Sequence, residues 1–434
     1  MSSSAPIAAQ QSVGELAGGK ARFCRQYVGH PLMTRYRIST LAVTVAFVVA
    51  TMPGVYANSI PQMVRMRPDV EDALRQSLRM EGISGRVTSL AADTNGHLTV
   101  AQVTFTHFDG MESPQELQAF AGRIAWTALT RIPQLDELDL IGLEYDPTGR
   151  ATTAPVIFSA AISRGEFTDL SARYTPADVI RPLARVWYSR PLGLRTPQAA
   201  SGRRPPQRFR LAQNTIPFAP TDIYRGDRAQ ATLALTFDDG PFPIYTTLLL
   251  DTLAQLGVKA TFFVTGENVQ RYPFLVQAIV RAGHEVANHS YHHPHLTRLS
   301  VAQMTEELAS TQEVIAAVTG QAPRYFRPPY GEYSADLMHV AHSLGLSTVM
   351  WTAGGGDYAS PSGDALKAKV LRQADSGGIV LLHEGVPGTI RILPQTAEAL
   401  AQRGFMLTTV GALLAHLPAG APARRSDPGL PRAR

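Results

Sequence analysis

From residue 229 onward, short apolar runs alternate with amphipathic stretches. The runs lie at 231–236, 260–264, 285–287, 325–326, 346–350, 378–382 and 404–408. The stretches between them have helical spacing, and most end at a glycine: Gly257, Gly283, Gly320, Gly345 and Gly377. Ser300 followed by Gln303 makes a capping box that opens one of them. Strand–helix alternation repeated in this way requires parallel strands joined by crossovers. The pattern therefore predicts an α/β fold, a closed or nearly closed (β/α)7 barrel over 229–416. Upstream, 69–80 has helical spacing and 87–108 alternates around the turn signal Asp93-Thr94-Asn95-Gly96. Ser113-Pro114 offers a cap and a first-turn proline for a helix to about residue 130, and two more strands flank Asp146-Pro147-Thr148-Gly149. This predicts a small α+β domain over 67–170. It holds no cluster of histidines, cysteines or paired carboxylates, so no chemistry is assigned to it.

Proline and arginine dominate 171–228, including Pro191, Pro197, Pro205, Pro206, Pro217 and Pro220, which reads as an extended linker with Trp187 and Tyr188 placed to dock on a neighbour. The tail, 417–434, has the same bias and is expected to be disordered. At the other end, Arg35 and Arg37 precede an uncharged run from Leu41 to Met52, followed by small residues up to Ala57. This reads as an export signal. A run of about a dozen residues is short for a spanning helix, so cleavage after Ala57 is favoured over an anchor through residues 38–52. Met33 stands where such a signal would begin, which makes residues 1–32 an over-extended start.

Composition narrows the classes further. With 44% apolar and 17% charged residues the chain has material for a real core. The formal charge is +5, but 1–57 holds five basic residues against Glu15, a net +4, which leaves +1 for the rest. Nucleic acid is therefore not an expected partner. Cys24, the only cysteine, precedes the signal, so the exported chain has no disulfide.

Five polar motifs begin at or just after strand ends, the rim on which β/α barrels assemble active sites. They are Asp238-Asp239-Gly240-Pro241, His289 through Pro294, Arg327 through Gly331, Trp351 through Tyr358, and Leu381-Leu382-His383. Two adjacent carboxylates at a strand end point in different directions, so one can bind a metal while the other meets a water. His289 and His293, four apart, fall on one side of a helical turn or tight loop, within reach of one ion. One Asp and two His hold a divalent metal with coordination positions left open, as in catalytic zinc sites. The second Asp and His383 remain as general base and general acid. A rigid loop such as 327–331 can present a backbone N–H, that of Tyr330, to an oxyanion.

In order and spacing these motifs resemble the polysaccharide deacetylase family, the NodB-homology or carbohydrate esterase 4 group, over about residues 228–415. The resemblance implies a NodB-type distorted (β/α)7 barrel and hydrolysis of the N-acetyl group of N-acetylated amino sugars in a glycan. It implies Asp238 as base, Asp239, His289 and His293 as metal ligands, and His383 as acid. Arg327 would orient the base, Tyr330 would donate its N–H, Leu381 would line an acetyl pocket, and Asp357 and Tyr358 would complete the catalytic and substrate-binding set. The metal expected is Zn²⁺, with Co²⁺ able to substitute. The partner expected is a chitooligosaccharide, peptidoglycan or exopolysaccharide, met in the periplasm or beyond.

One motif departs. Where relatives often carry Asp-x-x-Asp-Trp, this chain has Gly354-Gly355-Gly356-Asp357-Tyr358. If the first carboxylate normally tunes the acid histidine, His383 lacks a partner here and its pKa is expected to fall. That departure and the sizeable 67–170 unit motivate an alternative, a non-catalytic glycan-binding or assembly protein on the same fold; an amidase acting on a small non-sugar amide is a third reading.

Overall fold

The structure, a computed structural model, describes residues 67–106, 113–144, 155–183, 185–188, 222–359 and 363–415. The export segment, the Asp146–Gly149 turn, the middle of the Pro/Arg-rich segment and the 417–434 tail lie outside the described residues. Among those described, no helix is long and apolar enough to cross a membrane.

The first part is a five-stranded sheet in sequence order, β1 Val87–Thr94, β2 Thr99–Thr106, β3 Glu137–Leu143, β4 Val156–Ser163 and β5 Val186–Tyr188. All its ladders are antiparallel except β2 with β3. Helices α1 (Pro68–Met80) and α2 (Pro114–Arg131) share one core with the strands. Ser113 opens α2 with a reciprocal capping box. The period-2 alternation of β3 sends Leu138 and Leu140 to this core. Asp139, Ile141 and Leu143 fall on the opposite face, which is also covered: Ile141, Leu143 and Val156 lie with Trp187 and Tyr272, and Ala161 with Phe274 and Leu275. The Ser159 hydroxyl donates to the Arg271 carbonyl, and the Asn95 amide donates to the Leu248 carbonyl, Asp251 and Thr252. The small sheet is thus buried on both faces, its second face against the larger unit.

The larger unit is a curled parallel sheet of nine strands. Its order is β12 (Ala353–Gly354), β13 (Ile379–His383), β7 (Thr232–Asp238), β8 (Thr261–Val264), β9 (Glu285–Asn288), β10 (Tyr325–Phe326), β11 (Ser347–Val349) and β6 (Asp222–Ile223), with β14 (Met406–Thr408) on the lower half of β7. This is the expected distorted α/β barrel, with one qualification about closure. β11 pairs with β10 through Ser347 and Thr348 and, a few residues on, β12 pairs with β13 from Ala353, so the two ends of the curled sheet are joined by the chain and not by a ladder. The sequence runs showed seven of these strands. β6 (Asp-Ile) and β12 (Ala-Gly) hold no pair of large apolar residues, unlike the equally short β10 (Tyr-Phe), so they leave no hydrophobic run, and β5 and β6 lie within the segment read as a linker.

Parallel strands put all their C-terminal ends on one rim. Asp238 and His383 are the last residues of β7 and β13, His289 follows β9, and Arg327 follows β10. The helices between return the chain. Among them α7 (Val301–Thr319) starts at the Ser300–Gln303 capping box, with both reciprocal bonds formed, and stops at Gly320, whose φ of 78° is left-handed. Ser300→Ala is therefore expected to cost about 1 kcal/mol in chemical denaturation. A change below a few tenths would mean the box contributes nothing there.

Candidate metal centre and active site

The loop after β7 separates its two carboxylates by backbone geometry. Asp239 has a φ of 76°, so its side chain turns away from that of Asp238. Its N–H donates to the Phe263 carbonyl, and its own carbonyl accepts from the Asn268 amide. Gly240 is required here for space, since a Cβ would lie 1.9 Å from the Glu384 carboxylate. Glu384 accepts from the Thr246 hydroxyl at 2.5 Å, and burial pushes its carboxyl up to about 8.

The two histidines sit on a tight loop after β9, not on a helical turn. Ser290 and His293 are both left-handed, with φ of 62° and 59°. Asn288 accepts from the Ser290 N–H, Ser290 Oγ from the His293 N–H, and Glu307 of α7 from the N–H groups of Tyr291 and His292. His289 Nδ1 donates to the Arg327 carbonyl at 2.8 Å, which fixes the tautomer and leaves the Nε2 lone pair directed inward. His289 Nε2 and His293 Nε2 then lie 3.2 and 3.3 Å from Asp239 Oδ1. All three donor atoms are within 4.8 Å of one another. A tetrahedral ion with bonds near 2.0–2.1 Å has ligand–ligand edges of roughly 3.3 Å, so the set fits a zinc-sized ion. Asp239 Oδ1 is buried with no hydrogen-bond partner, as a ligand oxygen would be. Burial would raise this carboxyl, but His293 and His289 outweigh it and hold it well below the usual carboxylate range. Its other oxygen, Oδ2, accepts from the Tyr358 hydroxyl at 2.5 Å.

Asp238 is nearly buried and anchored from one side. Arg327, fully buried, gives Nη1 to Asp238 Oδ1 at 2.7 Å and to Thr236 Oγ1 at 2.8 Å. Its Nε and Nη2 donate to the carbonyls of Val349 and Met350, and the guanidinium lies 4.1 Å over the Phe263 ring. Asp238 Oδ2 is left on the side of the histidines, 3.9 Å from His289 Nε2.

The expectation for His383 is overturned. Asp357 Oδ1 lies 2.5 Å from His383 Nδ1, and its Oδ2 accepts from the His383 N–H at 2.7 Å and the Thr389 hydroxyl at 2.9 Å. Burial would lower the imidazole, but the bond to Asp357 and the charges of Asp357, Asp239 and Asp238 win and raise it to about 9. The glycine run makes this contact. Gly354, Gly355 and Gly356 have φ of 83°, 69° and 84°, and a Cβ on Gly354 would sit 2.2 Å from the Leu381 carbonyl oxygen. A carboxylate at 354 does not fit this backbone, and Asp357 partners the histidine.

Leu381 is buried on β13, its carbonyl accepting from the Gly355 N–H. Tyr330 stands on the rim at φ 61°, half exposed, its ring stacked on His295 at 4.1 Å and edge-on to His293. The other loop histidines bind carboxylates, His292 that of Glu307 and His295 that of Glu332. The structure thus brings Asp238, Asp239, His289, His293, Arg327, Asp357, Tyr358 and His383 into one connected set, with Tyr330 beside His293. Glu307 and Glu384 also shape the site and were not singled out in the sequence. Glu384 could have been, as a carboxylate adjoining a rim histidine. Glu307 lies mid-helix and gives no such signal.

The model of the polysaccharide deacetylase family matches residues 225–349. A chitooligosaccharide deacetylase of Bradyrhizobium sp. (strain ANU 289) is 39% identical over 203 residues, 43% of this chain and 93% of that protein. A peptidoglycan-N-acetylglucosamine deacetylase of Bacillus cereus is 34% identical over 195 residues, 45% of this chain and 70% of that protein. Among solved structures, a CE4 family pseudoenzyme from Bacillus anthracis is 32% identical, covers 45% of this chain and 69% of its own, and has a TM-score of 0.43.

In the metal-free protein, His383 is expected to keep its proton up to about pH 9. Asp357→Asn should bring the midpoint down by about 1–3 units. NMR titration of the ring protons reads this directly, and a midpoint at or below the ordinary 6.5 in the unaltered protein would refute it.

Proposed function

Because this chain belongs to the polysaccharide deacetylase family, hydrolases of carbon–nitrogen bonds other than peptide bonds, we propose that it removes the acetyl group of N-acetylated amino sugars in a glycan, releasing acetate. The observation that carries this reading is the convergence of Asp239, His289 and His293 on one point between an arginine-anchored aspartate and an aspartate-anchored histidine.

Asp239, His289 and His293 would hold the ion. A bound Zn²⁺, or Co²⁺ in its place, supplies a Lewis acid for the amide carbonyl and a water acidic enough to attack near neutral pH. Asp238, with Oδ1 held by Arg327, accepts the attacking water's proton at Oδ2. The Tyr330 backbone N–H donates to the carbonyl oxygen as it gains charge, and Leu381 receives the acetyl methyl. His383, kept protonated by Asp357, delivers its Nε2 proton to the departing nitrogen as the C–N bond breaks. The water oxygen ends in acetate and the nitrogen leaves as the sugar amine; the proton taken up by Asp238 then passes through solvent to His383 Nε2, which restores the carboxylate and the imidazolium.

Acetate release from N-acetylglucosamine oligomers, peptidoglycan and exopolysaccharide, with and without chelator, tests the reading. Release should stop on metal removal. Asp238→Asn should lower it by about 10²–10⁴ with metal content kept, and His289→Ala should lose the metal as well. Absence of metal-dependent release from the whole panel would refute the enzyme reading, and glycan binding without release would support the non-catalytic alternative.

From the proposed substrate class and the signal-like segment at 35–57 we infer that the protein works outside the cytoplasm, periplasmic or secreted. Fractionation with N-terminal sequencing should find a mature form beginning near Asn58. A full-length cytoplasmic product would refute export.

A further inference from the structure

The smaller sheet carries no cluster of catalytic groups, yet one of its strands reaches the loop that presents Asp238 and Asp239. That loop runs through Gly240, Pro241, Phe242 and Pro243 to Ile244, where helix α4 (Tyr245–Gln255) begins. Ile244 has φ 68° and ψ −62°, and the Tyr245 N–H donates to the Pro243 carbonyl at 2.9 Å. This is a γ-turn of the rare, strained hand. A β-branched residue at positive φ is an outlier that persists only where its surroundings over-determine it.

Besides the first helical bond, from the Leu248 N–H to its carbonyl, two contacts hold Ile244 in place. Its side chain is buried in the core under α4. Its N–H donates to Asp139 Oδ2, in the middle of β3, at 2.8 Å. No side chain of α4's own segment caps this helix. Asp139 therefore reaches across from the other sheet to bond the N-cap N–H, the role a capping-box glutamate plays within one helix. Burial and the neighbouring Glu137 push its carboxyl up to about 7, so the contact stands on the geometry of the hydrogen bond and not on a full charge. Glu137, two residues earlier on the same face, approaches Thr247 Oγ1 at 3.4 Å. Asp139 is fully buried and its Oδ1 has no partner. An apolar residue in the centre of this strand would avoid that desolvation cost. A carboxylate retained against stability is the pattern of a position kept for something else.

We propose that Asp139 is a positioning residue for the reaction. It locks the γ-turn at Ile244 and so fixes the loop that orients Asp238 and Asp239, which makes the smaller sheet a working part of the active site. The proposal rests on the reading of that loop as carrier of base and metal ligand.

The test compares Asp139→Val, Asp139→Ala and Asp139→Asn in the full chain. Val suits a buried strand and Asn keeps an oxygen that accepts the Ile244 N–H. Three quantities are read: amide exchange of the segment 239–247, zinc affinity by chelator competition, and kcat and KM for acetate release. Val and Ala should each raise exchange in that segment, weaken zinc binding and lower kcat by about tenfold, the loss of one buried hydrogen bond. KM should stay within about twofold of the parent, as for an interaction that acts on the chemical step and not on binding. Asn should restore all three. The melting temperature of Val should fall by no more than the loss of one cap bond, and exchange outside the segment should stay as in the parent, whereas a purely structural Asp139 would raise exchange throughout the chain. Parent-like exchange and zinc affinity in whichever of Val or Ala folds would overturn the proposal, as would failure of Asn to restore them. If neither Val nor Ala folds, the role is structural and the proposal is overturned. Exchange and zinc affinity need no substrate, so a chain that deacetylates nothing would refute the proposed function and leave this inference to be decided by those two readouts.

Discussion

A guanidinium buried in the middle of a barrel is tolerable only if nearly every donor is used, because an uncompensated charge there costs several kcal/mol. Arg327 meets that condition by binding Asp238 and Thr236 on β7 and two carbonyls at the end of β11 while lying 4.1 Å over the ring of Phe263 on β8. The same residue's own carbonyl accepts from His289 Nδ1. One residue therefore sets the free oxygen of the candidate base and the tautomer of a candidate metal ligand. It also ties together the strands that carry them, so the geometry of the site and the curl of the sheet are a single constraint. Burial pulls the guanidinium down from its usual range against the support of Asp238, and the ion pair survives because both partners are buried together.

The charges around it form a graded set. Asp239 is held well below the carboxylate range by its histidines, whereas Glu384, a few ångströms away behind Gly240, is pushed up to about 8. A protonated Glu384 adds no repulsion to Asp239, and its position fills the space that excludes any side chain at 240. On the other side His383 is raised to about 9 by Asp357. The result near neutral pH is a carboxylate for a cation, a neutral acid for packing and an imidazolium for proton delivery, each separated by environment and not by residue type.

What could be read from the sequence followed from residue chemistry at strand ends. Asp238, Asp239, His289, His293 and His383 were visible because ionisable side chains next to apolar runs are uncommon, and the runs themselves gave the barrel. What could not be read depended on backbone torsions or on distant partners. Asp357 reaches His383 only because three successive glycines turn left-handed, and a motif comparison that counted the missing carboxylate at 354 therefore gave the wrong sign for the pKa. The Tyr358–Asp239 bond joins residues 119 apart. The short strands β10, β11 and β14 showed because apolar residues cluster in or around them, whereas β6 and β12 hold no such cluster and β5 sits in a segment dominated by proline and arginine. Asp139 sits in an otherwise apolar alternation and carries no sequence mark of the helix end it meets.

The departures at Gly354 and Tyr358 belong together in physical terms. The glycines bring the chain close to β13, and the residue after Asp357 then points its ring across the mouth of the site, 4.7 Å from His383 centroid to centroid. A phenol at that place has a hydroxyl long enough to reach Asp239, and it occupies Oδ2. That leaves Oδ1 as the oxygen turned toward the two imidazoles. The orientation of the carboxylate at the candidate metal site is thus set from the loop after β12, two strands along the rim from β7, by the tyrosine that ends the glycine-rich motif. The substitution that looked like a loss in the sequence is, in the structure, a contact with the metal-ligand set.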